Sequence, residues 1–298
     1  MKPSRYGPFP FSPITERPRY VLPGGAQVAV WVIPNIEFFG LDDPMPGNQN
    51  ERVPRELAKI PMVRNWAQRE YGNRVGIWRV MEVLDEYAVR GTVALNSDIC
   101  DYQPQIIEAA LERSWELMGH NETNAVRLNE MPPEQEASSI RSTLERIERA
   151  SGRRPAGWLS SGLSETWSTL DHLVDAGVQY VADWTCDDQP FLMDVGGRRL
   201  ASIPYSFELN DAPMFYYNKV STDEFELMIK RQFDVLYREG ERSGRVMAIC
   251  LHPFIIGVPH RIGALDRALK YIRSHDKVWF ATGEEIIAHY LKEVACAG

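Results

Sequence analysis

The sequence predicts an α/β barrel, and three observations carry that reading. Short apolar runs alternate with helix-patterned segments seven or eight times. The first run is apolar on both of its alternating faces, and the residues that follow successive runs are polar, as at the mouth of a barrel whose strands all point one way. A chain of 298 residues would hold two average domains, but α/β barrels commonly use about 200 to 250 residues as one. The expected division is an extended arm over residues 1–25 followed by one barrel domain over residues 26–298.

The arm is rich in Pro and Arg and ends Leu22-Pro-Gly-Gly25, a turn signal leading into the first strand. An arm of this kind would reach a neighbouring subunit. Ala26 to Ile33 (AQVAVWVI) reads as a strand buried on both sides. Ile77, Val80, Met81, Leu84 and Tyr87 share one face of a helix predicted over Val75 to Ala88, and Thr92 to Leu95 follows as a strand. A helix over Gln105 to Trp115, a short strand at Leu117-Met118 and a helix over Glu134 to Ala150 closed by Gly152 continue the alternation. Further strands are predicted at Pro155 to Leu159, Gln179 to Asp183, Ile203 to Phe207, Val246 to Leu251 and Val278 to Ala281. Capping boxes at Ser221-x-x-Glu224 and Thr282-x-x-Glu285 open the helices between and after the last three. No Gly-rich loop follows the first strand, which disfavours a dinucleotide fold.

Composition narrows the partners. Hydrophobic residues at 44% and charged residues at 25% are ordinary for a packed domain. A net charge of −8 leaves no electrostatic footprint for nucleic acid. Residues Met1 to Tyr20 are broken by five prolines without an apolar stretch, and no run has membrane-spanning length, so a cytoplasmic protein with no membrane partner is expected. Cys100, Cys186, Cys250 and Cys296 are widely spaced, match no metal or redox pattern and read as reduced, small apolar residues.

The chemistry gathers after the strands. The first ends in Asn35-Ile-Glu37, the second in Asn96-Ser97-Asp98, the third in Gly119-His120-Asn121-Glu122-Thr123-Asn124 and the fourth in Ser160-Ser161. The fifth leads into Asp183-Trp184-x-x-Asp187-Asp188, the sixth into Glu208-x-Asn210-Asp211, and the Val246 to Leu251 run into His252-Pro253. Taken alone, each Asp reads equally well as a loop cap and each His as a hydrogen-bonded structural residue. Glu37 differs, because a carboxylate after a fully buried strand is costly without a partner. His172, His260, His275 and His289 fall on predicted helices or turns and read as surface residues.

Taken in order, these segments resemble the polysaccharide deacetylase (NodB-type) family, in its intracellular allantoinase-like and peptidoglycan-deacetylase-like branch. The segments are Asn35-Ile-Glu37, Arg69-Glu-Tyr-Gly-Asn-Arg-Val-Gly76, Gly119-His120 with Thr123-Asn124, Arg154-Pro155-x-Gly157-Trp158, Asp183-Trp184-x-x-Asp187-Asp188-x-Pro190, Pro204-Tyr205-Ser-x-Glu208-x-Asn210-Asp211, Leu251-His252-Pro253 and His275-Asp-Lys-Val-Trp279. Together they cover roughly Ala26 to Leu291. The resemblance implies a distorted (β/α)7 barrel, a hydrolase of non-peptide C–N bonds and a homo-oligomer, with a tetramer favoured.

The departures decide the expected chemistry. Metal-dependent members carry an Asp pair in the first motif and His-x-x-x-His in the second. Here Asn35 and Glu37, with Phe38 beside them, stand in the first, and His120 with Asn124 stands in the second. No cofactor is therefore expected. The alternative is zinc or another divalent ion held by Glu37, His120 and Asn124, although asparagine is a poor zinc ligand. Without a metal, Glu37 is the expected base, if burial raises its pKa towards neutrality, with His252 as proton donor, and His120 and Asp183 completing the catalytic set. Asn35, Asn124, Arg154, Trp158, Trp184, Asp187, Asp188 and Glu208 are the expected substrate-binding residues, with Arg154 pairing Asp183 or Asp187. The expected substrate is a small amide, imide or ureide. A metal-dependent N-deacetylase of an N-acyl sugar, and a degenerate barrel that only binds a ligand, are the competing classes.

Overall fold

The computed structural model of the chain describes residues 4–43 and 61–297. Among the described residues nine strands form one curled sheet: β1 (Val28–Ile36), β2 (Thr92–Leu95), β3 (Glu116–Gly119), β4 (Gly157–Trp158), β5 (Tyr180–Val181), β6 (Phe191–Val195), β7 (Arg198–Ser202), β8 (Arg245–Leu251) and β9 (Val278–Phe280). The helices are α1 (Val63–Tyr71), α2 (Ile77–Glu86), α3 (Ile99–Tyr102), α4 (Pro104–Glu112), α5 (Pro133–Ser151), α6 (Thr169–Asp175), α7 (Asp211–Tyr216), α8 (Thr222–Gly240), α9 (Pro253–Ile256), α10 (Ile262–Arg273) and α11 (Gly283–Ala297).

The strand order β6-β7-β5-β4-β3-β2-β1-β8, with β9 also on β1, makes a curled half-barrel sheet that matches the distorted (β/α)7 barrel expected. All ladders are parallel except β6 with β7. Every residue of β1 and of β8 is buried, because the two faces meet different layers. Ala29, Trp31 and Ile33 of β1 pack inside the barrel with Met118, Ala248 and Cys250. Val28, Val30 and Val32 turn outward and pack with apolar residues of α2, α8 and α10.

Two expectations change, and the arm takes a place. Ile203 to Phe207 is not a strand, and its place in the sheet is taken by the hairpin β6–β7. Gly196 and Gly197 both take positive φ (62° and 83°), as a tight two-residue hairpin turn requires. The arm is held within this chain. It lies on its own barrel, with Arg17 paired to Asp187, the Asp194 N–H donating to the Pro8 carbonyl, and Phe9 edge-on to Trp184 and Phe191. Cys100, Cys186 and Cys250 are free thiols, but only Cys250 is buried and Cys186 is exposed. The side chain of Cys296 lies outside the described residues. No described helix is long and apolar enough to cross a membrane.

The helical predicted segment around residue 75 is interrupted. Residues Gly72–Gly76 form a π-turn between α1 and α2, a device that recurs at functional sites. Its glycines allow backbone to touch backbone. A Cβ at Gly72 would lie 2.6 Å from the Phe254 nitrogen, and one at Gly76 only 2.1 Å from the Pro253 oxygen. The Arg69–Gly76 motif is thus a seat for the turn that carries His252.

Candidate active site

Strand β1 delivers Glu37 at its C-terminal end, and the chain around it is held on three sides. The Asn73 side chain, on the π-turn, donates to the Glu37 carbonyl at 2.9 Å. Asn96, after β2, accepts from the Phe38 N–H at 2.8 Å, and the Phe38 carbonyl accepts from the Asn124 N–H at 3.1 Å. The carboxylate is buried, accepts from the Asn124 side-chain amide at 2.6 Å and faces His252 Nε2 at 3.4 Å on the same oxygen, Oε1.

His252 follows β8. Its Nδ1 bonds Asp211 at 2.7 Å, and its backbone N–H also donates to that carboxylate, at 2.8 and 3.0 Å to the two oxygens. Asp211, at the first position of α7, is fully buried. The result is an aligned series Asp211, His252, Glu37. Burial works against the imidazolium, but the charges of Asp211 and Glu37 outweigh it and push His252 up to about 10. For Glu37, burial favours the neutral acid, and the His252 charge and hydrogen bond, with His120 and Arg69 beyond, overcome it and hold the carboxyl below its ordinary range. The expectation that burial would lift Glu37 towards neutrality is therefore corrected: the imidazolium beside it wins.

His120 stands on the same side of the mouth. Its Nδ1 bonds the Leu159 carbonyl at 2.7 Å, which makes Nδ1 the protonated nitrogen and leaves a lone pair on Nε2. Burial, aided by the charge of His252, pulls its pKa down despite Glu37 and the Leu159 carbonyl, so the ring is neutral at pH 7. Asn121, next in sequence, takes a left-handed φ of 58°, a strain that turns the chain after β3.

Glu37, His120, Asn124 and His252 are thus brought together. The other expected residues are elsewhere. Asn35 lies below the mouth, donating to the Ile33 and Leu251 carbonyls at 3.2 Å each and accepting from Tyr205, so it ties β1 to β8. Asp183 accepts the Ser160 N–H at 2.7 Å and sits beside Glu165, whose carboxyl is driven upward by burial first and by the Asp183 charge second. Trp158 is fully buried core, its indole N–H on Ser160, and offers no wall to a ligand. Trp184 donates to Glu165 at 3.0 Å and packs on Phe9 of the arm. Asp187, Asp188 and Glu208 line a cavity of about 520 Å³ under the arm rather than the mouth. Arg154 pairs with neither Asp183 nor Asp187. It precedes β4, at the opposite end of the strands, and bonds Glu148 and the Ala176 carbonyl; Asp187 takes Arg17 instead.

Two residues were quoted in motifs but given no role. Asp211 closes the Pro204–Asp211 segment, and Arg69 opens the Arg69–Gly76 segment, where its guanidinium lies over the Phe39 and Phe254 rings at 4.8 and 5.4 Å. Asp211 opens α7 and meets His252 only through the fold, so its position in the sequence carried no signal of the pairing.

A divalent metal fits this donor set poorly. Asn124 presents its N–H to Glu37, His252 presents a protonated ring to the same oxygen, and His120 alone keeps an imidazole lone pair. Among the described residues no three His, Cys, Asp or Glu side chains group to hold a metal ion.

Residues 70–181 match the sequence profile of the family described as "Polysaccharide deacetylase". A putative polysaccharide deacetylase of Schizosaccharomyces pombe is 29% identical over 238 residues, covering 73% of each chain. The crystal structure of a probable polysaccharide deacetylase from Pseudomonas aeruginosa superimposes with a TM-score of 0.82 at 26% identity, over 93% of this chain and 95% of that one. The structure titled Puue allantoinase gives 0.81 at 24% identity, over 93% and 94%. Residues 70–181 are thus similar to the polysaccharide deacetylase family, and the whole chain takes the fold of the structures titled as a probable polysaccharide deacetylase and as an allantoinase.

Proposed function

We propose that the chain hydrolyses a non-peptide C–N bond in a small amide, imide or ureide without a metal ion. The observation that carries the reading is the charge series Asp211–His252–Glu37, which sets a carboxylate and an imidazolium side by side at the barrel mouth. Amide hydrolysis asks for a base to take a proton from water, a positive group for the developing oxyanion and an acid for the leaving nitrogen. Glu37 serves as the base. Water oxygen attacks the carbonyl carbon as its proton passes to Glu37, and His252 donates a hydrogen bond to the oxyanion. The C–N bond then breaks and the nitrogen takes a proton from His252. In a ring substrate the carboxylate and the amine remain on one molecule.

His252 suits this role because an acid held near 10 stays charged at neutral pH. Neutral His120 offers Nε2 as an acceptor that orients the water. The names of the relatives favour a second reading, deacetylation of an N-acyl sugar, which uses the same bond chemistry. Purified protein assayed on cyclic imides, hydantoins, allantoin and N-acetyl sugars separates the two. Turnover of a ring substrate, unchanged in EDTA, is expected. Turnover of N-acetyl sugars alone, abolished by EDTA and restored by zinc or cobalt, overturns the proposal.

A further inference from the structure

We infer that Asn124 selects the nitrogen side of the substrate: its amide oxygen accepts the N–H beside the scissile carbonyl, so the site takes N–H-bearing amides, imides and ureides and refuses those in which that hydrogen is replaced. The inference rests on the hydrolase reading above only for where the reacting carbon sits.

An asparagine amide has a donor end and an acceptor end, and here chemistry decides which is which. Glu37 is ionised and accepts only, so the group facing it at 2.6 Å is the NH2. That leaves Oδ1 of Asn124 buried and hydrogen-bonded to nothing. The backbone beneath both side chains is held in place. The Asn124 N–H holds the Phe38 carbonyl, the neighbouring Thr123 hydroxyl accepts the Ala125 N–H at 2.8 Å, and Asn73 and Asn96 hold the backbone on the Glu37 side.

The geometry then divides the substrate's amide between two groups. Glu37 must address the carbonyl carbon, and His252, a donor, takes the carbonyl oxygen. The nitrogen is the remaining substituent one bond from that carbon. Asn124, bonded to the same carboxylate oxygen as His252 faces, supplies an acceptor of the kind an N–H needs. A buried acceptor that gains a donor in the complex discriminates strongly against a ligand that lacks one, because the mismatched complex leaves the acceptor unpaired.

The test uses binding, so it does not depend on turnover. Titrations of the full-length protein followed through its imidazole NMR signals compare 2-pyrrolidinone with γ-butyrolactone, which replaces N–H by O without added bulk, and succinimide with N-methylsuccinimide. The N–H form of each pair should bind about tenfold tighter or more, and in Asn124→Ala the two forms should bind within about twofold of each other. Equal binding in the native protein overturns the inference, as does failure of every form to bind. A preference that survives in Asn124→Ala overturns it too, since something other than Asn124 would then read that hydrogen. The lactam and lactone pair needs no variant, so a poorly folded Asn124→Ala leaves the inference exposed to refutation. N–H preference in a protein that hydrolyses none of the substrates would sink the proposed function and leave this assignment standing.

Discussion

Replacing Asp211 with asparagine keeps the side-chain shape and one acceptor but removes the charge behind His252. Asp211 is the largest of the influences that raise that imidazole to about 10, its oxygen lying 2.7 Å from Nδ1. An opposite charge at such range typically shifts a pKa by about 1–3 units, or roughly 1.4–4 kcal/mol. In Asp211→Asn the burial that opposes the charge remains and only Glu37 supports it, so the midpoint should fall by that amount. The sign for stability follows. A folded-state pKa raised from 6.5 to about 10 contributes stability that is fully present below 6.5 and lost as pH rises through 10. Native stability should therefore decline across that window, and the variant should decline less. The assay is an NMR titration of the imidazoles; with six histidines in the chain, His252 can be assigned by substitution. A native His252 that titrates near 6.5, or a midpoint unmoved in Asp211→Asn, would refute the electrostatic account of the site.

Other outcomes follow from the same structure. Glu37→Gln should lower kcat by roughly 10²-fold or more with KM nearly unchanged, and should erase the acid limb of the pH–rate profile, because that limb belongs to a carboxyl held below its ordinary range. Steady-state kinetics from pH 3 to 10 read both effects; normal turnover would make Glu37 structural. Gly76→Ala must fit a methyl 2.1 Å from the Pro253 oxygen, so it should cost about 1–3 kcal/mol or more, seen as a lower Tm; an unchanged Tm would show that the π-turn yields easily. Arg17→Ala removes the two-point contact to Asp187, at 2.6 and 2.8 Å. Limited proteolysis should then cut the arm faster while the barrel stays intact, and unaltered cleavage would mean that the contacts of Pro8 and Phe9 suffice to anchor it.

Much of the barrel could be read from apolar runs because β1, β2 and β8 are buried on both sides and are therefore mostly apolar along their length. The β6–β7 hairpin was less visible: Arg198, Arg199 and Asp194 break the apolar pattern on an exposed edge, and only Gly196-Gly197 marked the turn. At the site, Glu37, His120 and His252 follow strands and were legible from position. Asp211 was not, since it opens a helix and reaches His252 across the fold. The charge state of Glu37 was out of reach for a different reason. Sequence shows that a carboxyl will be buried, but not that an imidazolium stands 3.4 Å away. That Asp187 lies away from the mouth was hidden because spacing after a strand does not say which way a loop then runs, and Arg154 sits at the other end of the sheet because it precedes its strand.

The sheet does not close on itself. Between β7 and β8 the described residues offer no ladder, and the gap is crossed by the segment leading to α7, through the Cys250 N–H to the Leu209 carbonyl at 2.9 Å and the His252 N–H to Asp211. A closed barrel resists widening as a hoop does, with stress shared around the ring. A split ring concentrates it at the fasteners, and here one fastener is the carboxylate that keeps the imidazole charged. Removal of that carboxylate would therefore slacken the ring at this fastener and weaken the charge on His252 in one stroke.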